Sequence, residues 1–157
     1  MISLTMANMS DCCEIHSMQV AAFRDLLDKY QDVKTNPAAE TAEHVAARME
    51  QESTTYYLIT LNGCRIGAIG VVSLQGNQSR ISPMYILPEF QVKGYAQQAL
   101  RKVEALYPDT AIWKLDTIKQ ERSLCHLYEK MGYAATGKEE TIQEGMDIIF
   151  YEKIVAE

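Results

Sequence analysis

The 157-residue sequence predicts an α/β protein, a mixed sheet with helices on both faces. Three observations lead there. Asn62-Gly63 joins two β-rich runs, "TTYYLITL" and "CRIGAIGVVSL", and that dipeptide in that setting is the strongest short-range hairpin signal. The second half alternates strand and helix patterns, which calls for at least one parallel crossover. Apolar residues make up 47% of the chain, enough for one sizeable core, and no linker, repeat or low-complexity stretch divides it. Residues 1–157 are therefore expected to form a single domain.

The elements follow in order. "ISLTMA" reads as a short strand. Asp11 with Glu14 three residues later has the form of a capping box, and it opens a helix with Ile15, Met18, Ala22, Leu26, Leu27 and Tyr30 on one face. "QDVKTNP" breaks that helix. Asn36 then caps a second helix with Pro37 at its first position, presenting Ala38, Ala42, Val45, Ala46 and Met49. The hairpin comes next, then a strand over about 80–87 after a turn at Gly76-Asn77. A helix beginning near Gly94 runs to about Tyr107, where Pro108 stops it. "AIWKLDTI" is a strand. "ERSLCHLYEKM" is a helix with Leu124, Leu127, Tyr128 and Met131 on one face, and Gly132 supplies its C-terminal cap. A short strand near Tyr133 and a last strand, "MDIIFYEKIV", complete the order β-α-α-β-β-β-α-β-α-β-β.

Charge and cysteine usage exclude several classes. The formal net charge is -6, and no basic stripe appears, which argues against nucleic acid as a partner. Cys12, Cys13, Cys64 and Cys125 form no C-x-x-C pair, so neither a disulfide framework nor a zinc site is expected. Free thiols suit a reducing cytosol. No apolar run approaches the ~18 residues of a membrane span, and no leader pattern opens the chain. A cytoplasmic protein without membrane or metal partners is the expectation.

One glycine calls for an explanation. Gly94 stands where "PEFQVKGYAQQAL" turns into an amphipathic helix, although glycine costs a helix interior roughly 1 kcal/mol relative to alanine. A helix start presents unpaired N–H groups and the positive end of the dipole, a ready anion site. Glycine there lets a phosphate approach the backbone, and Lys93 adds a positive charge. The competing reading is a glycine needed for tight helix–strand packing. Neither the P-loop pattern nor G-x-G-x-x-G is present, which counts against a nucleotide binder of another α/β class.

"YILPEFQVKGYAQQAL" resembles the acetyl-CoA-binding segment of the GNAT superfamily, the Gcn5-related N-acetyltransferases. The family's pattern, Gln/Arg-x-x-Gly-x-Gly/Ala, is met by Gln91, Gly94 and Ala96. "LCHLYEKMGY" resembles a second family segment, and "LNGCRIGAIGVV" is similar to the hairpin that precedes both. The resemblance covers about 56–133; before that it rests on element order. It implies a mostly antiparallel sheet in which the strand holding Tyr85, Ile86 and Leu87 splays from its parallel neighbour "AIWKLDTI". By that analogy these three contribute main-chain groups to pantetheine, with a backbone N–H near Ile86 polarising the thioester carbonyl. The amides of Gln91, Val92, Lys93, Gly94, Tyr95 and Ala96 would hold the diphosphate of acetyl-CoA, the expected co-substrate.

Transfer of an acetyl group to an amine needs a base for the ammonium and an acid for the departing thiolate. Tyr128 matches the tyrosine that often serves as the acid in this family; its other reading is a ring packed in the core. For the base, Asp116 and Glu121 are candidates. Asp116 follows "WKL" near the expected splay, and its other reading is a turn residue. Glu121 stands seven residues before Tyr128 on the same helix face; many family members carry asparagine near there, and its other reading is a first-turn acid. His126 falls on the opposite face and reads as surface. His16 and His44 lie on predicted helices without partners. Cys125 reads as buried. Tyr30, Asp32 and Asn36, in "KYQDVKTNPAAE", are candidates for the acceptor pocket, with Asp32 favouring a cationic amine; a polar connector is the alternative. The leading expectation is an N-acetyltransferase acting on a primary amine of a small molecule or peptide by direct attack in a ternary complex. A GNAT fold that senses acetyl-CoA without turnover is the alternative. Family members often form homodimers, although no patch in this sequence points to one.

Overall fold

The computed structural model describes residues 1–155. It contains seven strands and four helices in the expected order: β1 Ile2–Met6, α1 Cys12–Tyr30, α2 Ala42–Met49, β2 Thr54–Leu61, β3 Cys64–Leu74, β4 Gln78–Ile86, α3 Tyr95–Ala105, β5 Ile112–Ile118, α4 Arg122–Lys130, β6 Ala134–Gln143 and β7 Met146–Ile154. The strands form one sheet in the order β1-β2-β3-β4-β5-β7-β6, with β4 and β5 its parallel pair. The chain divides into two compact units: residues 1–72 with 82–106, and residues 73–81 with those from 107 onward.

In the first unit the β2–β3 hairpin turns on Asn62 and Gly63 at φ 50° and 83°, the left-handed pair that a two-residue turn between twisted strands requires. β1 lies antiparallel to β2 with Ile2 opposite Leu61 and Met6 opposite Tyr57. Ile15 and Met18 of α1, Val45 of α2, Tyr56 and Leu58 of β2, Ala68 of β3 and Tyr85 of β4 bury one another in a shared core. Burial of such side chains contributes on the order of 1.5–3 kcal/mol each.

Two helix starts differ from the sequence expectation. The capping box lies one turn earlier: the Asn8 side chain accepts from Ser10 N at 3.0 Å, and the Asp11 carboxylate accepts from Asn8 N at 2.9 Å, around a 3-10 turn at Met9–Asp11. Glu14, expected to complete the box, instead bonds the Arg65 guanidinium together with Asp11. The second helix does not run on from Pro37. Asn36 caps as expected, accepting from Ala38 N at 2.7 Å, yet the turn Pro37–Ala39 ends at an extended Glu40. Thr41 then caps α2 by accepting from His44 N at 3.1 Å.

In the second unit β5 pairs antiparallel with β7, which pairs with β6. β6 is a ten-residue strand, longer than the short strand expected near Tyr133. α4 closes with Gly132 at φ 97°. Tyr133 N donates to Tyr128 O at 3.0 Å and Gly132 N to Glu129 O at 3.1 Å, the bond pair of a Schellman cap. The hydrophobic contact that accompanies such caps is the edge-on packing of the Tyr128 and Tyr133 rings, 6.2 Å apart.

β3 passes β4 unusually closely. A Cβ on Gly67 would overlap the Tyr85 carbonyl oxygen, and one on Gly70 would lie 2.5 Å from the Ser82 carbonyl oxygen. Both obstacles are backbone atoms held in a sheet, so neither yields as a side chain would. Gly67→Ala is expected to lower stability by about 2–3 kcal/mol, the cost of overpacking against fixed atoms. Urea denaturation checks this, and an unchanged midpoint contradicts it.

Candidate active site

The first unit supplies a helix start without a cap. β4 ends with its side chains turned inward: the Tyr85 hydroxyl donates to Ile15 O at 2.9 Å, and its ring stands edge-on to Phe23. Leu87 N donates to Ile66 O at 2.7 Å, which fastens the end of β4 to β3. A single turn at Pro88–Phe90 follows, and the Gln91 amide side chain reaches back to donate to Ile86 O at 2.7 Å. Val92 and Gly94 then take φ values of 60° and 83°. Gly94 occupies the N-cap of α3, no side chain caps that end, and the Gln98 N–H is the one that reaches back to Gly94 O.

This geometry settles why Gly94 is a glycine. A Cβ there would meet nothing within 4 Å, so the packing reading fails. The left-handed φ requires it, since an L-residue there costs roughly 1–2 kcal/mol. Val92 bears such strain openly, as a β-branched residue at positive φ with its side chain wholly exposed. The main-chain expectations narrow. Leu87 N–H and the Ile86 carbonyl are engaged by the protein, and the Gln91 N–H donates to Pro88 O at 3.2 Å, so these three are not free for a coenzyme. The stretch Val92 to Ala96 carries the remaining expected amides; Lys93 and Gly94 are exposed, Tyr95 and Ala96 half-buried. An open, positively polarised helix end of this kind fits a diphosphate.

The second unit places Tyr128 with Asp116. Tyr128 is buried on α4, with the ring of Tyr151 6.4 Å away in addition to that of Tyr133. Burial raises its phenol pKa above the ordinary value of about 10, and the charges of Asp116 and Cys125 push the same way. Among the described residues its hydroxyl makes no hydrogen bond. Asp116 sits inside β5 opposite Phe150, which excludes the turn reading. Its Oδ2 accepts from Arg80 Nη2 at 2.6 Å. Burial raises the carboxyl pKa, and the Arg80 guanidinium opposes that without cancelling it. Glu121 occupies the N-cap position of α4 without a side-chain cap bond. Cys125 is buried with its thiol directed at Ile118 O and Lys119 O, both 3.7 Å away, and His126 is exposed.

In the α1–α2 connector two of the three acceptor candidates are bonded within the turn itself, which favours the polar-connector alternative for them. Asp32 is buried, and its carboxylate accepts from Lys34 N, Thr35 N and the Thr35 hydroxyl. Asn36 is equally buried as a cap. Both side chains are committed to the turn. Tyr30 closes α1 half-buried, with Lys29 over its ring. The hub of this region is Glu40, which the sequence reading passed over. Its carboxylate takes bonds from Gln19 Nε2 at 2.6 Å and from Arg48, with His44 Nδ1 at 3.5 Å, and its carbonyl lies 2.7 Å from His16 Nε2. The two histidines expected to lack partners therefore both face Glu40. Beside it lies a shallow cavity of about 240 Å³, lined in part by Lys34, Thr35, Thr41 and His44. Arg80 was not marked in the sequence because its partner lies far along the chain, at 116, and Glu40 was not marked because its partners at 16 and 19 lie on another helix. Among the described residues no group of three or more His, Cys, Asp or Glu is placed to hold a metal, and no helix is long and apolar enough to cross a membrane.

A seven-stranded mixed sheet with one parallel strand pair, together with its helices, defines a mixed α/β fold. Residues 9–133 match the model of the acetyltransferase (GNAT) family, and the chain belongs to that family. The uncharacterised YrkN protein of Bacillus subtilis (strain 168) is 25% identical over 135 residues, 84% of this chain and 72% of that protein. The ribosomal-protein-S18-alanine N-acetyltransferase of Escherichia coli superposes with a TM-score of 0.80 at 13% identity, covering 100% of this chain and 96% of that one. The spermidine N-acetyltransferase of Vibrio cholerae, solved with CoA and spermine, superposes at 0.77 with 17% identity, covering 98% and 95%.

Val92→Asn is expected to raise stability by about 1 kcal/mol, since asparagine tolerates the left-handed region that valine resists. Thermal and urea unfolding of the free protein check this, and no gain contradicts the strain.

Proposed function

We propose that this chain is an acetyl-CoA-dependent N-acetyltransferase whose acceptor is a primary amine of a small molecule or peptide, with residues 1–157 acting as one catalytic domain. The observation that carries the proposal is the open start of α3: Gly94 at φ 83° with no cap and nothing within 4 Å of a would-be Cβ. Strain stored at Val92 supports it, because unfavourable backbone conformations concentrate at ligand clamps. The relatives named for N-acetylation of a ribosomal-protein alanine and of spermidine support amine acceptors, and the one solved with CoA and spermine supports the coenzyme.

In this reading the amides from Val92 to Ala96 hold the diphosphate, with Lys93 adding charge. The bound coenzyme supplies an acetyl thioester, an acyl group with a good leaving thiolate. Asp116, or Glu121 in its place, accepts a proton from the acceptor's ammonium, directly or through water. The free amine attacks the thioester carbonyl, the carbon–sulfur bond breaks, and Tyr128 donates its hydroxyl proton to the departing sulfur. A buried phenol whose pKa lies above the ordinary value stays protonated through the neutral range, as an acid must before it acts. No protein nucleophile is needed; the Cys125 thiol points at backbone carbonyls.

Tyr128→Phe is expected to lower turnover 10²–10⁴-fold, the usual worth of a positioned acid, while acetyl-CoA binds as in the wild type. Thiol release with a panel of amines, beside calorimetry with acetyl-CoA, measures both. Unchanged turnover with a good acceptor contradicts the role of Tyr128. Binding of acetyl-CoA with no thiol release for any amine or peptide would instead favour a sensor.

A further inference from the structure

We propose that Arg80 is the positioning residue of Asp116: it grips one carboxylate oxygen, keeps the group ionised, and leaves the other oxygen turned out to take the acceptor's proton. The proposal rests on the transferase reading and extends it to a residue with no part in coenzyme binding. β4 and β5 run parallel here, with Arg80 opposite Lys114, so Asp116 lies two residues further along its strand. The Arg80 guanidinium crosses that offset to reach Asp116 Oδ2 at 2.6 Å. An arginine fork usually engages both oxygens of a carboxylate. Here the contact is to Oδ2, and among the described residues Oδ1 accepts no hydrogen bond, although it is not sealed from the surface.

The surroundings explain why Asp116 needs the partner. Its side chain is 24% exposed, within a strand and opposite the Phe150 ring. A carboxylate so placed loses much of its hydration, and burial is the largest influence on it. Three charged groups act on it, Arg80 on β4 and Lys138 and Glu140 on β6, and the neutral phenol of Tyr128 on α4 feels its charge. Along the same strands Lys114 and Glu152 pair at 3.6 Å. Glu140 opposes ionisation of Asp116 and Lys138 favours it, but Arg80 has the largest favourable effect and makes the hydrogen bond. An exposed ion pair with no further role would contribute little, about 0–1 kcal/mol. This one sits beside a phenol with an unbonded hydroxyl.

The test compares wild type, Arg80→Met and Arg80→Lys. NMR of protein carrying carbon-13-labelled aspartate, with Asp116→Asn for assignment, follows the Asp116 carboxyl through its titration. The pH dependence of thiol release follows catalysis. Loss of the positive charge should raise the Asp116 midpoint by about one pH unit or more. A base that protonates at higher pH moves the acid limb of kcat/KM upward by the same amount, with KM for acetyl-CoA unchanged. Arg80→Lys, which keeps the charge, should stay near the wild-type midpoint. An Asp116 midpoint that does not move in Arg80→Met overturns the proposal, and so does a midpoint that moves while the acid limb stays put. A wild-type protein inactive with every amine sinks the transferase reading; the titration then decides by itself whether Arg80 governs Asp116.

Discussion

The close passage of β3 along β4 is the constraint from which the candidate site follows. Gly67 and Gly70 remove the side chains that would hold the two backbones apart at Tyr85 and Ser82. With that contact made, Leu87 N reaches Ile66 O, and the end of β4 is fastened at a definite point. The Gln91 side chain then ties the following turn back to Ile86 O. From there two left-handed residues, Val92 and Gly94, are enough to swing the chain into α3 with its first amides outward. The steps rest on backbone contacts and on one side-chain bond, that of Gln91.

The second unit carries Tyr128 and Asp116, the residues proposed to move protons. Tyr128 is held by the Schellman cap that ends its helix and by rings on either side, Tyr133 and Tyr151. The hydroxyl of Tyr151 is itself spoken for, donating to Glu129 Oε2 at 2.8 Å, whereas that of Tyr128 is not. The loop between β5 and α4 is braced as well: Gln120 exchanges bonds with Asp147, donating to its carboxylate at 2.8 Å and accepting from its N–H at 2.9 Å. That carboxylate also takes the Thr141 hydroxyl, and these bonds hold its pKa below the usual aspartate value. Rigid support of this kind is what a proton donor needs, because donor geometry sets the efficiency of transfer.

Element order, both left-handed turn residues of the β2–β3 hairpin and the Gly132 cap were legible in the sequence, since each depends on residues close together in the chain. The left-handed glycine at the start of α3 was legible for the same reason: Gln91, Gly94 and Ala96 form one local motif. What the sequence misplaced was also local, and it failed where two signals competed. Asn8 and Asp11 both cap well, and the earlier one prevails because Asp11 and Glu14 are also drawn to Arg65. Asn36-Pro37 starts a helical turn, but Glu40 leaves the helical region while its side chain bonds Gln19 and Arg48, and Thr41 begins again. Asp32 read equally as an acceptor contact or as part of a polar connector, and its carboxylate bonds within the turn. The Arg80–Asp116 pair and the Glu40 hub stayed out of view because spacing along a chain does not reveal pairs made across a sheet or between helices.

The claim on which the account turns is that the amides opening α3 receive the coenzyme's diphosphate. Amide NMR of the nitrogen-15-labelled protein, titrated with coenzyme A, tests it directly. The account predicts saturable shifts centred on Val92 to Ala96, with the Gln91 amide moving less because its N–H is already bonded within the protein. Shifts that saturate elsewhere while these amides stay still would contradict it.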